Sequence, residues 1–217
     1  MPKIAGFHCE IDNPDAPGTP LVLLHGSGQD ETALKDLGGH VSAEAPTVRL
    51  RGSIAWEGGF AFFRRKPDRS LDLANLKHQV DKLAVLLENL GSLFTGRLPV
   101  LVGYSNGAIA AAALVRHRPE LTAGAILLRS LSPDPSSAFP PLPNYPVLIL
   151  TGAKDNRRAP GDGAVLAAQF HQAGATVEHH VLPCGHEWQA NGAEFAIIAA
   201  WLQHRPPKRA AAETSRT

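Results

Sequence analysis

The segment Pro99-Val-Leu-Val-Gly-Tyr-Ser-Asn-Gly-Ala-Ile-Ala-Ala-Ala-Ala-Leu-Val-Arg-His117 narrows the folds open to this chain more than any other. A short apolar run meets a glycine-bounded turn, and a run of the strongest helix former follows at once. A strand that feeds directly into a helix is half of a β-α-β unit, and such units build parallel sheets. The rest of the chain repeats the alternation. Apolar runs over 21–24, 47–50, 99–102, 123–128, 147–151 and 176–182 predict strands, most of them buried on both faces. Between them Leu76, Val80, Leu83, Leu87 and Leu90 recur four and three apart, which predicts a helix ended near Gly91. Further helices are predicted over 106–117, over 164–172 with Gly174 past its end, and over roughly 193–203. The expectation is an α/β fold, a mostly parallel doubly wound sheet with helices on both faces, as a single domain over 1–204. The Pro-, Lys- and Ala-rich stretch 205–217 predicts a disordered tail.

In such sheets ligands bind beyond the carboxyl ends of the strands, and Ser105 stands at one. The turn around it is too tight for side chains at Gly103 and Gly107, and it holds the serine in strained backbone geometry with its hydroxyl presented. The helix behind it aims its positive end at the same point. A serine hydroxyl is a poor nucleophile near neutral pH unless a base takes its proton, and the base needs a group to orient it. Asp155, in Leu150-Thr-Gly-Ala-Lys-Asp155, lies just past a predicted strand, and His186, in Pro183-Cys-Gly-His186, follows the last one. The chain order Ser, Asp, His is that of the α/β hydrolases. Asp134, which follows the preceding strand, and Asp162 compete for the acid's place, which is assigned to Asp155. Of ten histidines, His8, His117, His171, His179 and His180 read as strand or helix surface residues. The early strand runs into a glycine-rich loop, Leu23-Leu-His-Gly-Ser-Gly28. An oxyanion hole takes one N–H from such a loop and one from the residue after the nucleophile, which assigns the donors to the backbones of Ser27 and Asn106. His25 is read as a residue that holds this loop.

Composition excludes several other classes. With 21 Lys plus Arg against 20 Asp plus Glu the formal net charge is +1, which gives no electrostatic footprint for nucleic acid. At 44% hydrophobic and 19% charged the chain is too apolar for a disordered protein. Cys9 and Cys184 lie near opposite ends in no metal-ligand spacing, so neither a disulfide scaffold nor a cysteine zinc site is expected, and a reducing, cytoplasmic setting is the easier fit. The N-terminus does not read as a secretory signal. The longest apolar run, residues 108–115, is far short of the roughly 20 residues that cross a bilayer.

Several segments together resemble the phospholipase/carboxylesterase family of α/β hydrolases: Leu-Leu-His-Gly-Ser-Gly-Gln-Asp-Glu-Thr over 23–32, Arg51-Gly52, Phe62-Phe63-Arg64-Arg65, Gly-Tyr-Ser-Asn-Gly-Ala over 103–108, Gly152-Ala-Lys-Asp155 and Gly185-His186. The similarity spans residues 20 to about 203. It is strongest to small bacterial carboxylesterases grouped with hydroquinone-responsive hydrolases and more distant to acyl-protein thioesterases. The resemblance implies a serine carboxylesterase with Ser105 as nucleophile, Asp155 as acid and His186 as base, no metal, no organic cofactor and no large cap domain. Its partner would be a small-molecule ester, or a thioester by the same machinery, and a homodimer fits the family. Two departures stand out. Ser27 replaces the Leu or Thr more usual after His-Gly, and Asn156-Arg-Arg-Ala-Pro160 is more basic than the short run expected after the acid.

The substrate pocket is less defined. Trp56, Phe60, Phe62 and Phe63 share one loop, and Leu131, Phe139 and Leu142 share the proline-rich stretch 130–145; either set is placed to line an acyl pocket or to cover the core. His25, Trp56, Phe60, Phe63, Arg64 and Leu131 are the pocket candidates, with Arg64 and Arg65 open either to reading a carboxylate or to holding the scaffold. Two other readings stand beside the esterase: an acyltransferase using the same triad, and a catalytically silent small-molecule binding protein on the same fold.

Overall fold

The computed structural model describes residues 3–187 and 192–204; the predicted tail from 205 lies outside the described residues. Its frame is one eight-stranded sheet. The strands are β1 (Lys3–Ile4), β2 (Phe7–Asp12), β3 (Leu21–Leu24), β4 (Thr47–Arg51), β7 (Val100–Tyr104), β8 (Gly124–Leu128), β9 (Pro146–Gly152) and β10 (Thr176–Leu182). They stand in the order β1-β2-β4-β3-β7-β8-β9-β10. From β4 to β10 every pairing is parallel, while β1 and β2 add an antiparallel edge. A two-stranded hairpin, β5 (Ile54–Trp56) with β6 (Gly59–Ala61), stands apart from the sheet. The chain is thus an α/β fold of the expected kind.

The continuous apolar runs of the central strands follow from burial on both faces. In β8, Ala125 and Leu127 join the larger core while Ile126 and Leu128 join the smaller one across the sheet. In β9, Val147 and Ile149 split in the same way from Leu148 and Leu150. Successive side chains point to opposite faces, so a strand covered on both must be apolar throughout. Helices α2 (Leu73–Leu93), α3 (Asn106–His117) and α4 (Asp162–Gln172) cover the first face, and α1 (Lys35–Val41) and α5 (Ala193–Gln203) the second. Small alanines let α3 sit at the centre, with Ala108, Ala110, Ala111 and Ala112 fully buried. No helix among the described residues is long and apolar enough to cross a membrane.

One helix end shifts from its expected place, and two elements carry no sequence signal that predicts them. The helix predicted to end near Gly91 runs two residues further to Leu93; Phe94, fully buried, anchors that end, and the left-handed exit falls at Thr95 and Gly96. A glycine in a helix costs only about 1 kcal/mol, less than burying a phenylalanine returns. The strand β2 was not anticipated, because Phe7-His-Cys-Glu-Ile-Asp buries only Phe7 and Cys9 and reads as a polar edge. Helix α1 carries Gly38 and Gly39 and so shows no helical signature; a Cβ on Gly38 would lie 2.7 Å from Thr47 Oγ1, so close packing requires the glycine.

Candidate active site

The turn after β7 has the strain its letters imply. Ser105 adopts φ 53°, ψ −107°, a region non-glycine residues seldom occupy. The flanking glycines are there for space. A Cβ on Gly107 would stand 2.2 Å from the Leu24 carbonyl oxygen, and one on Gly103 would stand 2.5 Å from Ala108 Cα. The turn is pinned on both sides: the Ser105 N–H donates to Leu128 O at 2.8 Å, and the Gly107 N–H to His25 O at 3.1 Å.

From that turn a chain of contacts runs through the two residues predicted downstream. Ser105 Oγ lies 2.8 Å from His186 Nε2, and His186 Nδ1 lies 2.8 Å from Asp155 Oδ2. Both the imidazole and the Asp155 carboxylate are buried. Burial is the main cause that holds the His186 pKa below its ordinary value; the Asp155 hydrogen bond opposes it, and the cation of Arg158 adds to it. Tyr104 OH donates to the His186 carbonyl at 2.7 Å. Behind this loop Arg129, fully buried and ion-paired with Glu194 of α5, donates from Nε to Gly185 O at 2.9 Å and from Nη2 to Glu187 O at 3.2 Å. Arg129 is therefore a positioning residue for the segment that carries His186. Asp134 is elsewhere: its carboxylate takes the N–H and hydroxyl of Ser136 in an exposed turn. Asp162 Oδ2 accepts the Ala159 N–H at 2.9 Å in a surface turn.

The glycine-rich loop after β3 is held as the sequence suggests. His25 Nε2 accepts the Gly52 N–H at 2.9 Å, so the ring proton is on Nδ1, where it faces Gly26 O at 2.6 Å. Burial keeps His25 from ionising and so preserves that tautomer. The loop is stitched to the hairpin by Gly28 N–H to Phe60 O and Phe60 N–H to Gln29 O. Asn106 fixes the next segment with its side chain, accepting from the Phe62 N–H at 2.8 Å and donating to Phe63 O at 3.2 Å. Among the described residues the backbone N–H groups of Ser27 and Asn106 have no protein acceptor, and both residues border the space over Ser105.

That space is a cleft of about 480 Å³ with Ser27, Ser105 and Asn106 at its floor. Its walls depart from the expected acyl pocket. Trp56 lines it, but the rest is polar: Glu57, Arg65, Arg69, Asn156, Arg157 and Arg158. Of the other pocket candidates, Phe63 is fully buried with Phe62 in the core, and Leu131 packs on that core. Phe60 lies under the Arg51 guanidinium, Arg64 is exposed with its N–H on Asn75, and His25 is sealed behind the loop. Phe139 and Leu142 are also core residues, with Phe139 against Phe170. Arg158 was not anticipated: Nη2 donates to Ser105 Oγ at 3.1 Å and Nε to Arg129 O at 2.7 Å. The only hint of it was the unusual basicity of 156–160.

No protein-family model matches the chain. It is 29% identical over 178 residues to "Putative hydrolase MhqD" of Bacillus subtilis (strain 168), which covers 81% of this chain and 89% of that protein. Its structure is similar to that of a Bacillus cereus carboxylesterase, with TM-score 0.84 and 26% identity over 91% of this chain and 93% of the other. A carboxylesterase from Mesorhizobium loti gives TM-score 0.86 and 27% identity, covering 94% of this chain and 98% of its own.

Proposed function

We propose that this chain, an α/β hydrolase in fold and similar to a hydrolase in sequence and to carboxylesterases in structure, cleaves small to medium carboxylic esters through an acyl-enzyme on Ser105. The observation that carries this reading is the unbroken chain Ser105 Oγ, His186, Asp155, with both links at 2.8 Å. An arginine has donors only, so the Ser105 oxygen accepts from Arg158 and its own hydrogen is left for His186 Nε2. That arrangement requires the neutral imidazole with its proton on Nδ1, facing Asp155, which is the form a general base must have.

In the proposed reaction Ser105 Oγ attacks the ester carbonyl carbon while His186 Nε2 takes the hydroxyl proton. The negative charge that develops on the carbonyl oxygen meets the N–H groups of Ser27 and Asn106, and each such donor contributes about 3 kcal/mol to lowering the barrier. The tetrahedral intermediate collapses, the C–O bond to the alcohol breaks, and His186 gives the alcohol its proton. Water then loses a proton to His186, attacks the acyl carbon and frees the acid as Ser105 is reprotonated. Asp155 stabilises the imidazolium in both halves. Thioesters fit the same scheme with a thiol as leaving group.

The test is hydrolysis of p-nitrophenyl esters from acetate to decanoate by the wild type and Ser105→Ala, with fluorophosphonate labelling alongside. Turnover and stoichiometric labelling confined to the wild type are expected. A folded wild type that neither hydrolyses any ester nor takes the label would overturn the reading.

A further inference from the structure

We propose that the ester this cleft takes carries an ionised acid group, a carboxylate or a phosphate, a few bonds from its scissile carbonyl, and that Arg158 and Arg65 bind it. The proposal rests on the esterase reading and names the substrate class of the same site. Four guanidinium groups line the cleft, against one carboxylate, Glu57, which is already paired with Arg69 at 3.2 Å. The chain as a whole has a net charge of only +1, so this concentration of cations is local.

Among the described residues the two less exposed of these arginines, Arg65 and Arg158, have no carboxylate paired with them. Arg158 gives three of its five N–H groups to uncharged oxygens, those of the Arg129 and Arg157 carbonyls and of Ser105 Oγ, and keeps the others for a ligand. Arg65 donates from Nη1 to Arg69 O at 2.6 Å. Among the described residues no carboxylate comes within 4.0 Å of either guanidinium. The nearby acids are engaged elsewhere, Asp155 with His186 and Asp162 with the Ala159 N–H. Holding like charges half-buried without an anion is costly, and the cost shows in their acidity. Burial first, and then the cation of Arg65, pushes Arg158 down to about 10; burial, and then Arg69, lowers Arg65. A bound oxyanion offsets that cost, and the planar guanidinium fork suits it.

Position sets the reach. Arg158 Nη2 is 3.1 Å from Ser105 Oγ, so an anion on Arg158 lies only a few bonds from the carbon that Ser105 attacks. A long neutral acyl chain would instead have to lie among guanidinium groups, with Trp56 as the one aromatic ring of the wall.

The experiment compares kcat/KM for mono-p-nitrophenyl glutarate with that for p-nitrophenyl butyrate, in the wild type, Arg65→Gln and Arg65→Lys, at low salt and at about 0.5 M NaCl. The wild type should favour the anionic ester by roughly tenfold to a hundredfold. That ratio should fall toward unity in Arg65→Gln and at high salt, and be partly kept in Arg65→Lys. Competition by succinate and by inorganic phosphate against butyrate hydrolysis tells which oxyanion fits better. A wild type that hydrolyses the neutral ester at least as well as the anionic one, or a ratio unmoved in Arg65→Gln, overturns the proposal and leaves the esterase reading standing. If no ester is hydrolysed, the esterase reading fails, and calorimetric titration of succinate onto the full chain decides: binding weakened by Arg65→Gln supports the anion site, and no binding overturns it.

Discussion

Ser105, Asp155 and His186 stand at the ends of β7, β9 and β10 on a frame fixed by close packing and buried polar contacts. Arg65, Arg69 and Arg157, which line the cleft over Ser105, stand on loops, and Arg69 and Arg157 are exposed. The floor leaves no room: a single methyl group on Gly107 would overlap a strand carbonyl. The wall is held by scattered contacts, one carbonyl for Arg65 and one surface carboxylate for Arg69. The difference separates two kinds of specification. The floor's chemistry is determined by the fold, whereas the wall can change its side chains without touching the core, which suits the part of a hydrolase that selects its substrate.

The contrast breaks most visibly at the floor. Ser105→Ala removes the proposed nucleophile and should lower kcat by about 10⁶-fold with thermal unfolding unchanged. Asp155→Asn should cost about 10⁴-fold, because the amide can donate to Nδ1, favouring the wrong tautomer, and carries no charge to stabilise the imidazolium. Asp134→Asn, in its exposed serine turn, should stay within a few-fold of wild type; a severe loss there with a mild one at Asp155 would move the acid to the neighbouring strand. Steady-state kinetics on one p-nitrophenyl ester measures all three.

Stability should divide along the same line. Glu194→Ala strands the Arg129 cation in a fully buried position, which should cost roughly 3 kcal/mol and also loosen the segment bearing His186. Arg69→Gln breaks an exposed pair and should change stability by less than about 1 kcal/mol. Urea denaturation of the two variants measures this difference, and equal losses would mean that the wall is as much a part of the frame as the floor.

The two regions also differ in how far the sequence reveals them. The turn at Ser105 was legible because its requirements fall on adjacent letters: an apolar strand, glycines where backbones touch, and alanines behind. The hold of His25 on the glycine-rich loop was legible in the same way, whereas its place among the pocket candidates and the side-chain contacts of Asn106 to Phe62 and Phe63 were not. Phe63 and Leu131 were misplaced as pocket residues because an aromatic or a leucine in a loop looks the same whether it faces a cleft or caps a core. The periodicity around Gly91 places the helix end within two residues, and the last step to Leu93 goes with the burial of Phe94, a long-range fact. Arg158 could not be read at all. Its place depends on how the chain turns after Asp155, and three consecutive polar residues carry no period that fixes a direction.

The smallest expected effect is the one that couples the two regions, through the acidity of His186. As the proposed base, His186 works only when unprotonated, so kcat/KM should rise with pH through its free-enzyme pKa. Burial holds that pKa below the ordinary imidazole value, so the acid limb should lie below pH 6.5 and the rate should be level by neutrality. Arg158 contributes part of the depression, since a cation near the ring disfavours a second positive charge. Arg158→Gln removes that cation, and the acid limb should move to higher pH whatever happens to the maximal rate. A merely structural role for Arg158 would scale the whole profile and leave the limb in place. A limb that stays or moves to lower pH would therefore show that floor and wall are electrostatically independent, and that Arg158 acts on the substrate alone.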